Sequence, residues 1–389
     1  MTWRIDPEIA FLNHGSFGAC PAAVLEHQAE LRERMERRPI RYFMSEMLPA
    51  IDDARRAVAL FVGADPEGFV FVTNATHGVN AVLRGLELEP GDELLVTDHN
   101  YPACAKAVHF VAERAGAKVV VAKIPFPGVT PDIVCDAVLE AVTERTRFAL
   151  LDHVTSATAL VLPVERLVPA LQARGVCVMV DGAHAPGMVR VDIDKLGADF
   201  YTANCHKWLC APKGAGFLWA APAHRDTLHP LAISHGYGMC HPSKSALHLE
   251  FDWPGTFDSS PWLCVPKSIE AVRAMDLGGW EGVRARNHAL ALRARDLLCD
   301  ALEVPHPAPD SMIGSMASIP VLDGVPGELG TQLYRDRLQD QLLSGWGIEV
   351  PIAAWPAPPK RLLRISAQLY NREAQYVLLA AALREIHLR

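Results

Sequence analysis

The sequence predicts an α/β protein with a large domain, built on a mainly parallel, doubly wound sheet, and a smaller α+β domain at the C-terminal end. Two observations lead to this prediction. Between residues 68 and 220, apolar runs of strand length alternate with segments of helical periodicity. From residue 262 onward, long helical segments replace that alternation. The length of 389 residues is sufficient for two domains with a sizeable buried interior.

The expected elements follow in order along the chain. We expect an N-terminal arm over residues 1–20, a large domain over 21–260 and a small C-terminal domain over 261–389. Helical spacing begins after Pro21 and again near residue 46, where Gly63 is the expected stop. Expected strands of the large domain are 68–74, 93–97, 118–123, 147–155, 175–180, 198–203 and 217–220, and its expected helices are those starting at 75 and those over 103–115, 131–143 and 164–174. Residues 224–261 show no regular period. Expected C-terminal elements are helices 265–276, 280–302, 328–343 and 372–387 and strands 315–321, 348–352 and 361–366.

The amino-acid composition disfavours several classes of protein. The net charge of −8 does not favour a nucleic-acid or anionic membrane surface. Nine scattered cysteines without paired spacing indicate reduced thiols rather than disulfides or a zinc site, so we expect no metal. Neither a signal peptide nor a membrane-spanning run is visible. These features together predict a cytoplasmic enzyme.

Two residues at the centre of the chain suggest the chemistry. Asp181 ends a continuous apolar run, Val176–Val180, which is typical of a strand buried on both faces. Lys207 follows the next strand-like run. Open α/β sheets bind ligands at the carboxyl ends of their strands. Pyridoxal phosphate (PLP) chemistry needs this pair, because the lysine amine forms a Schiff base with the aldehyde while the aspartate keeps the pyridine nitrogen protonated.

The motifs around these residues resemble a known family. Asp-Gly-Ala-His at 181–184, Asn-Cys-His-Lys-Trp at 204–208 and Pro-Lys-Gly-Ala-Gly at 212–216 are similar to those of the class V aminotransferases, which are fold-type I PLP-dependent enzymes. The segment from 204 to 214 is most similar to the isopenicillin N epimerase-like branch. The resemblance runs from about residue 10 to the C-terminus. It implies a PLP cofactor and a homodimer with shared active sites.

A phosphate cradle is expected where the strand over 68–74 meets the following helix. A strand, a short polar turn and a helix start gather free backbone N–H groups, and Ala75 and Thr76 lie at this turn. The resemblance also implies phosphate contacts from Asn204 and His206. It further implies that Thr256 reaches the phosphate held by the other subunit.

The resemblance assigns the remaining cofactor contacts. It implies that His184 hydrogen-bonds the phenolic oxygen of the cofactor and that the strand end Thr155-Ser156 lies near the same oxygen and the substrate. An aromatic residue or a histidine stacks on the ring in this family. Tyr101 is our first choice for that position, and His99 is the alternative.

Substrate contacts are expected from the two ends of the chain. Asn13 and His14 match an arm that meets the substrate in the family. Arg364 lies in the middle of an apolar strand, where a guanidinium needs a carboxylate partner that it can bind with two hydrogen bonds. In the family the matching arginine holds the α-carboxylate of the amino-acid substrate.

The motifs identify the cofactor but leave the reaction open. Epimerisation, β-elimination of a sulfur group as in a hercynylcysteine sulfoxide lyase, and transamination share the same Lys, Asp and Arg. Our first choice is epimerisation or racemisation of an amino acid or peptide-like amino acid. It requires a second proton donor, for which Tyr101, His14 and the segment His235–Tyr237 are candidates. A cysteine desulfurase is disfavoured, because residues 344–363 contain no cysteine.

Overall fold

The computed structural model describes residues 2–325 and 336–387. Its N-terminal part comprises, in chain order, β1 (Ala10–Phe11), α1 (His14–Phe17), α2 (Ala22–Arg37), α3 (Pro39–Arg41) and α4 (Met47–Val62), with a π-helical turn, Tyr42–Glu46, before α4. α4 ends where the sequence predicted, because Gly63 adopts the left-handed conformation with φ of 61°.

The large sheet has the predicted alternating plan. Its elements are β2 (Phe69–Val72), α5 (Ala75–Arg84), β3 (Glu93–Thr97), α6 (Pro102–Ala115), β4 (Lys118–Ala122), α7 (Pro131–Glu140), β5 (Thr146–Asp152), α8 (Val164–Gln172), β6 (Cys177–Asp181), α9 (Ile193–Leu196), β7 (Phe200–Asn204) and β8 (Gly216–Ala220). The strand order is β2-β8-β7-β6-β5-β3-β4, and only the pairs that involve β8 are antiparallel. The mainly parallel, doubly wound sheet is therefore confirmed.

The continuous apolar run of β6 is explained by burial on both faces of this sheet. Val178 and Val180 belong to one apolar cluster, whereas Met179 points to another on the opposite face. Fully burying such a side chain stabilises the fold by roughly 1.5–3 kcal/mol. This burial fixes the strand that ends in Asp181.

The rest of the chain forms an α+β unit. Its elements are α10 (Ala246–Phe251), α11 (Ser260–Leu263), α12 (Val265–Arg273), α13 (Gly279–Leu302), β9 (Met316–Val321), α14 (Arg337–Trp346), β10 (Ile348–Glu349), β11 (Ile352–Ala354), β12 (Arg361–Ser366) and α15 (Glu373–His387). A 3₁₀ turn, Asp310–Met312, precedes β9, and two others lie earlier in the chain, Pro66–Gly68 before β2 and Pro222–His224 after β8. The strands β11-β12-β9 form an antiparallel sheet. The first part of the expected helix over 328–343 lies outside the described residues. The domain boundaries proposed from the sequence stay a prediction.

Short elements of this unit, among them α10 and α11, were missed by the sequence prediction. The region 224–261, which shows no period, contains the six-residue helix α10. Ser245 caps it by accepting a hydrogen bond from the His248 N–H, and Asp252, just after the helix, forms a buried ion pair with Arg55. A helix this short depends on tertiary contacts rather than on its own propensity, so periodicity could not reveal it.

Long-range contacts hold the N-terminal arm. β1 pairs with β10 in parallel, which fixes the arm against the C-terminal part of the chain. Gly18 then passes so close to the Lys207 loop that a Cβ atom would collide with the His206 carbonyl, and its φ of 53° also favours glycine. Within residues 2–325 and 336–387, none of the helices combines the length and hydropathy needed to span a bilayer.

Candidate active site

The carboxyl ends of three parallel strands bring polar side chains together at one edge of the large sheet. β5 ends at Asp152, β6 at Asp181 and β7 at Asn204, and Asp152 pairs directly with Asp181 in the register. Lys207 follows β7 after a two-residue turn. Asp181 and Lys207 therefore share one edge, as the strand pattern predicted.

These side chains line a cleft of about 400 Å³. Two surface cavities, of about 570 and 610 Å³, are larger, so volume alone does not identify a site. The cleft is distinguished by its chemistry, which combines a buried amine, two buried carboxyl groups and a helix start. Its lining residues are Ser16, Phe17, Asn74, Ala75, Thr76, Tyr101, Asp152, Val154, Ser156, Asp181, Ala183, His184, Asn204, His206 and Lys207.

The amine of Lys207 is buried and more acidic than an ordinary lysine. Burial, helped by the positive charge of Arg364, lowers the pKa of Lys207 to about 8, although Asp181 acts in the opposite direction. At pH 7 roughly a tenth of such amines are neutral, far more than at the usual lysine pKa. The neutral amine is the form that attacks an aldehyde and accepts a proton.

His184 contacts the amine of Lys207, and its hydrogen bonds define which ring nitrogen carries the proton. Its Nε2 lies 3.0 Å from Lys207 Nζ, and its Nδ1 accepts a hydrogen bond of 3.3 Å from Trp208 Nε1. Burial lowers the pKa of His184 well below its usual value, so the ring is neutral. With Nδ1 as acceptor, the proton resides on Nε2. His184 can therefore donate a hydrogen bond in the cleft, as the predicted contact with a phenolic oxygen requires.

Asp181 is buried at the base of the cleft. Its Oδ1 accepts a hydrogen bond of 2.9 Å from the Ala183 N–H, and the Cys104 thiol donates to Oδ2 at 3.4 Å. Burial raises the pKa of Asp181 above its usual value. A protonated ring nitrogen beside it would favour the ionised carboxylate, because opposite charges stabilise each other most where water is excluded.

Asp152 is a cleft residue that the sequence prediction missed. Its Oδ2 is buried and has no hydrogen-bond partner among the described residues, while the Tyr101 backbone N–H donates to the carboxyl group. Burial and the neighbouring Asp181 raise the pKa of Asp152 well above its usual value. A signal was present in the sequence, because β5, like β6, is an apolar strand that ends in an aspartate.

The start of α5 contributes polar groups to the cleft. Asn204 Oδ1 accepts a hydrogen bond of 2.9 Å from the Ala75 N–H, and Asn74 Oδ1 accepts one from the His77 N–H at the same distance. Gly78 lets α5 approach the sheet, because a Cβ atom there would collide with Thr202. The strand end and the helix start lie as expected, but the backbone N–H of Ala75 is bonded to Asn204, and the phosphate cradle stays a prediction.

His206 also faces the cleft but is less suited to a phosphate. Its Nδ1 lies 3.0 Å from the Ala215 carbonyl oxygen, to which it donates. Burial lowers the pKa of His206 to about 4, with a smaller contribution from Lys207. A neutral ring in this tautomer offers a phosphate dianion only an acceptor, so the predicted phosphate contact requires the ring to gain a proton.

The structure separates the two candidates for ring stacking. Tyr101 lines the cleft and is 42% exposed. His99 is 1% exposed and lies outside the lining, and its nitrogens contact Thr158 Oγ1 at 2.7 Å and the Ile124 carbonyl at 3.0 Å. Of the two residues, Tyr101 is therefore the one whose side chain can stack on a ring bound in the cleft.

Arg364, on β12, does not line the cleft but contacts two residues that do, Ser16 and Ser156. Its Nη1 donates to the carbonyl and hydroxyl oxygens of Ser156 at 2.8 and 3.2 Å, and its Nη2 donates to Ser16 Oγ at 2.8 Å. The buried Nε finds no partner among the described residues, and no carboxylate there pairs with the guanidinium. Burial lowers the pKa of Arg364 to about 10, so it stays charged at neutral pH. A buried, unpaired cation of this kind fits an anionic ligand.

The arm contributes residues other than those predicted. His14 is buried behind Lys207, with Nδ1 2.8 Å from the Tyr370 hydroxyl and Nε2 3.0 Å from the Lys207 carbonyl. Burial lowers the pKa of His14 to about 3. Neither Asn13 nor His14 lines the cleft, and their expected contact with the substrate stays a prediction. Ser16 and Phe17 lie there instead, because the turn of α1 carries them past His14.

Two further predicted cofactor contacts lie outside the cleft lining. The Thr155 hydroxyl accepts a hydrogen bond of 2.8 Å from the Leu160 N–H and contacts Thr158 Oγ1 at 2.8 Å, so it closes a turn. The neighbouring Ser156 lines the cleft. Thr256 is exposed in a loop, and its predicted contact with the phosphate of another subunit stays a prediction.

Comparison with known proteins places this site in a family. The family model described as aminotransferase class-V matches residues 18–375. The chain belongs to the class V aminotransferase family. Its resemblance to the epimerase branch is also found: the isopenicillin N epimerase of Amycolatopsis lactamdurans is 34% identical, over 98% of this chain and 96% of that protein.

Other similar proteins and solved structures are named as desulfhydrases or lyases. The probable chloroplastic L-cysteine desulfhydrase of Arabidopsis thaliana is 33% identical, over 95% of this chain and 81% of that protein. Among solved structures, the cystine C–S lyase C-DES with its product cysteine persulfide has a TM-score of 0.81 at 22% identity, covering 97% of this chain and 98% of that one. A variant of C-DES that carries glycine covalently linked to its PLP cofactor has a TM-score of 0.80 at 21% identity, with 97% of each chain covered. The C-DES structures support the fold-type I fold.

PLP is the cofactor of this class V enzyme. The residues of the cleft fit it, because the amine of Lys207 is buried with a lowered pKa and Asp181 lies buried at the end of β6. Lys207 would carry the aldehyde carbon, and Asp181 would face the ring nitrogen. Thr76 and Asn204 would hold the phosphate at the start of α5.

The lowered pKa of Lys207 leads to a testable pH dependence. We expect the rate at which PLP-free protein takes up PLP to rise with pH and to level off above about pH 8, because the neutral amine is the reactive form. Stopped-flow absorbance from pH 6 to 10 would measure it. A rate that keeps rising to the pKa of an ordinary lysine would contradict the assignment.

Proposed function

We propose that this enzyme removes the Cα proton of a free α-amino acid and eliminates a sulfur group from its Cβ, as a C–S lyase of the cysteine desulfhydrase type. The observation that carries the proposal is that the described cleft is lined by one lysine and no cysteine, and that the cation of Arg364 contacts two of its lining residues, Ser16 and Ser156. β-Elimination needs only these elements. The relatives named as cysteine desulfhydrases support the same reading.

The first step is binding of the α-carboxylate. Ser16 and Ser156 line the cleft beside Lys207, and Arg364 donates to both hydroxyls, while its buried Nε has no partner among the described residues. Because a guanidinium binds a carboxylate with two hydrogen bonds, the substrate is fixed at its Cα end. The side chain of the substrate then extends towards the open cleft mouth, where Phe17 and Tyr101 lie.

The second step is proton removal at Cα. When bound, PLP supplies a ring that accepts the electron pair left at Cα. The neutral amine of Lys207, held 3.0 Å from His184 Nε2, takes the proton as general base. Asp181 holds a proton on the ring nitrogen, which strengthens the acceptor.

The third step is departure of the sulfur group. The Cβ–S bond breaks, its electron pair leaves with sulfur, and a proton from Lys207 or water gives the thiol or hydrogen sulfide. The remaining enamine reacts with one water to give pyruvate and ammonia when cysteine is the substrate. No change of oxidation state of the protein is needed.

The sulfur is expected to leave as a free thiol rather than as a protein persulfide. Cys104, whose Sγ bonds Asp181, is buried and outside the cleft lining, and burial raises the pKa of its thiol far above the usual value. Such a thiol is a poor nucleophile. The chain also has no cysteine in residues 344–363, the segment before the carboxylate-binding arginine.

Epimerisation, the first choice from the sequence, is the second candidate. One observation favours it: Tyr101 carries a phenol into the cleft and can face the substrate from a side other than that of Lys207. The other proton donors considered are poorly placed. His14 is buried behind Lys207, and His235 and Tyr237 are exposed outside the lining.

Products formed in D₂O distinguish these two functions. PLP-loaded protein would be incubated with L-cysteine, cysteine-derived sulfoxides and peptide-like amino acids, and products would be followed by chiral chromatography and mass spectrometry. We expect pyruvate, ammonia and a released sulfur compound in equal amounts. Inversion at Cα with deuterium gain and without pyruvate would overturn the proposal in favour of epimerisation.

The variant Tyr101→Phe gives a second test. It keeps a ring for stacking and removes the hydroxyl, so elimination is expected to fall less than ten-fold, whereas a two-base epimerisation would fall about 10²- to 10⁴-fold. Phe17→Leu, at the same cleft mouth, is the matched control. A large loss of sulfide release in Tyr101→Phe but not in Phe17→Leu would show that the Tyr101 phenol donates a proton during elimination.

Arg364→Ala should impair the enzyme chiefly by weakening substrate binding. Loss of a buried charge partner costs about 2–5 kcal/mol, so kcat/KM for free amino acids is expected to fall about 30- to 5,000-fold, mainly through KM. Arg361→Ala on the same strand is the control, because Arg361 pairs with Asp336 away from the cleft. An unchanged KM would remove Arg364 from the carboxylate site.

We also propose a cytoplasmic homodimer. All nine cysteines are free, as expected in a reducing compartment. Phe17 lines the cleft yet is 71% exposed, which suits a cleft completed by a second copy. Light scattering coupled to size-exclusion chromatography would measure the mass. A monomer with full activity would contradict the shared site.

A further inference from the structure

A second group of metal-binding side-chain types lies at the opposite edge of the large sheet. Cys177 is the first residue of β6, Asp199 precedes β7, and His224 ends the 3₁₀ turn after β8. A sulfur, a carboxylate oxygen and an imidazole nitrogen from these residues lie within 4.8 Å of one another. Because strands rise about 3.3 Å per residue, roughly 13 Å separates Cys177 from Asp181. The group is therefore distinct from the PLP cleft.

One oxygen of the Asp199 carboxylate is fixed by hydrogen bonds from the protein, and the other faces His224. Its Oδ2 accepts hydrogen bonds from the Val178 N–H at 2.8 Å and from Gln172 Nε2 at 3.0 Å. Its Oδ1 instead faces His224 Nε2 at 3.0 Å. Donors on the far oxygen orient a carboxylate ligand in the way that outer-shell partners do in metal sites.

The imidazole of His224 is also oriented. Its ring lies against Phe200, with ring centroids 4.7 Å apart, and its Nε2 points to Asp199. All three donor residues are half-buried, so an ion and one water can reach them. The three segments that carry them are held by the sheet, which makes the donor positions rigid.

We propose that Cys177, Asp199 and His224 form a structural site for a divalent transition metal of the Zn²⁺ type, completed by water. Thiolate, imidazole and carboxylate are the donors that Zn²⁺ takes in proteins, and three protein donors with water complete a tetrahedron. The ion would tie the starts of β6 and β7 to the turn after β8. It would take no part in chemistry at the cleft.

Binding requires one proton to leave. The S–H bond of Cys177 breaks, a sulfur–metal bond forms, and the proton goes to water. The proton shared by His224 Nε2 and Asp199 Oδ1 moves to His224 Nδ1, so that both atoms can face the metal without a change of oxidation state. About one proton should therefore be released for each ion bound.

Titration of PLP-loaded, metal-free protein with Co²⁺ tests the site, because tetrahedral thiolate-bound Co²⁺ absorbs in the visible. We expect about one equivalent per chain, displaced by Zn²⁺, and at least about 100-fold weaker binding in Cys177→Ser and in His224→Gln. Cys240→Ser, which removes an exposed thiol elsewhere, should bind as the wild type does. The PLP absorption and circular dichroism of each variant would verify folding.

A second measurement uses only the wild-type chain, in case a variant does not fold. Alkylation by iodoacetamide followed by peptide mass spectrometry should show that one equivalent of Zn²⁺ protects Cys177 and leaves Cys240 reactive. Absence of a thiolate–Co²⁺ spectrum, binding unchanged in Cys177→Ser, or Zn²⁺ without effect on Cys177 alkylation would overturn the proposal.

Discussion

Replacing Lys207 with alanine is expected to abolish the visible absorption band of the lysine-bound cofactor and to lower turnover by about 10⁴-fold or more. Lys207 is the lysine that lines the described cleft, and its buried amine has a pKa lowered to about 8. The change removes both the covalent link and the base. Absorbance of purified protein and sulfide release from cysteine would measure the two losses.

The neighbouring Lys213 provides a matched control for this variant. Its Nζ donates a hydrogen bond to the Gly18 carbonyl and lies outside the cleft lining. Lys213→Ala should therefore keep the absorption band, although the arm is loosened. A band retained in Lys207→Ala, or lost only in Lys213→Ala, would refute the role given to Lys207.

Asp181→Asn is expected to retain PLP and to lose activity by about 10²- to 10³-fold, the size of effect seen when a preorganised electrostatic partner is removed. The amide keeps the shape and the hydrogen bond from the Ala183 N–H but loses the negative charge. The ring nitrogen then no longer stays protonated, so the ring accepts electrons less well. Cofactor content and kcat would be measured together.

Asp152→Asn distinguishes this effect from a general loss of charge. Because burial and Asp181 raise the pKa of Asp152 well above its usual value, the neutral carboxyl is favoured more than in an ordinary aspartate, and an amide resembles that form. We expect a loss of less than about ten-fold, well below the range for Asp181→Asn. Near-normal turnover in Asp181→Asn, or an equal loss in both variants, would contradict the assignment of Asp181.

The strand ends of the site could be predicted because they depend on local patterns. The apolar run before Asp181 is typical of a strand covered on both faces, and parallel strands deliver their ends to one edge. The same reasoning, applied to the strand before Asp152, would have found that residue as well. The stop at Gly63 was equally local, since a left-handed residue ends α4 there.

Contacts between distant parts of the chain were beyond sequence reasoning. The position of His14 depends on Tyr370 and on the pairing of β1 with β10, so the sequence could not show that Ser16 and Phe17 face the cleft instead. The choice between Tyr101 and His99 also depended on side-chain packing. Likewise, Cys177, Asp199 and His224 have no metal-ligand spacing and are united only by the sheet.

Exchange of the Cα proton is the most direct test of the proposed chemistry. L-2-Aminobutyrate has the size of cysteine but no leaving group, so proton removal and return can be followed in D₂O without elimination. We predict deuterium at Cα with retained configuration in the wild-type enzyme and none in Lys207→Ala. No deuterium incorporation by wild-type enzyme that releases sulfide from cysteine would contradict Lys207 as the base that acts at Cα.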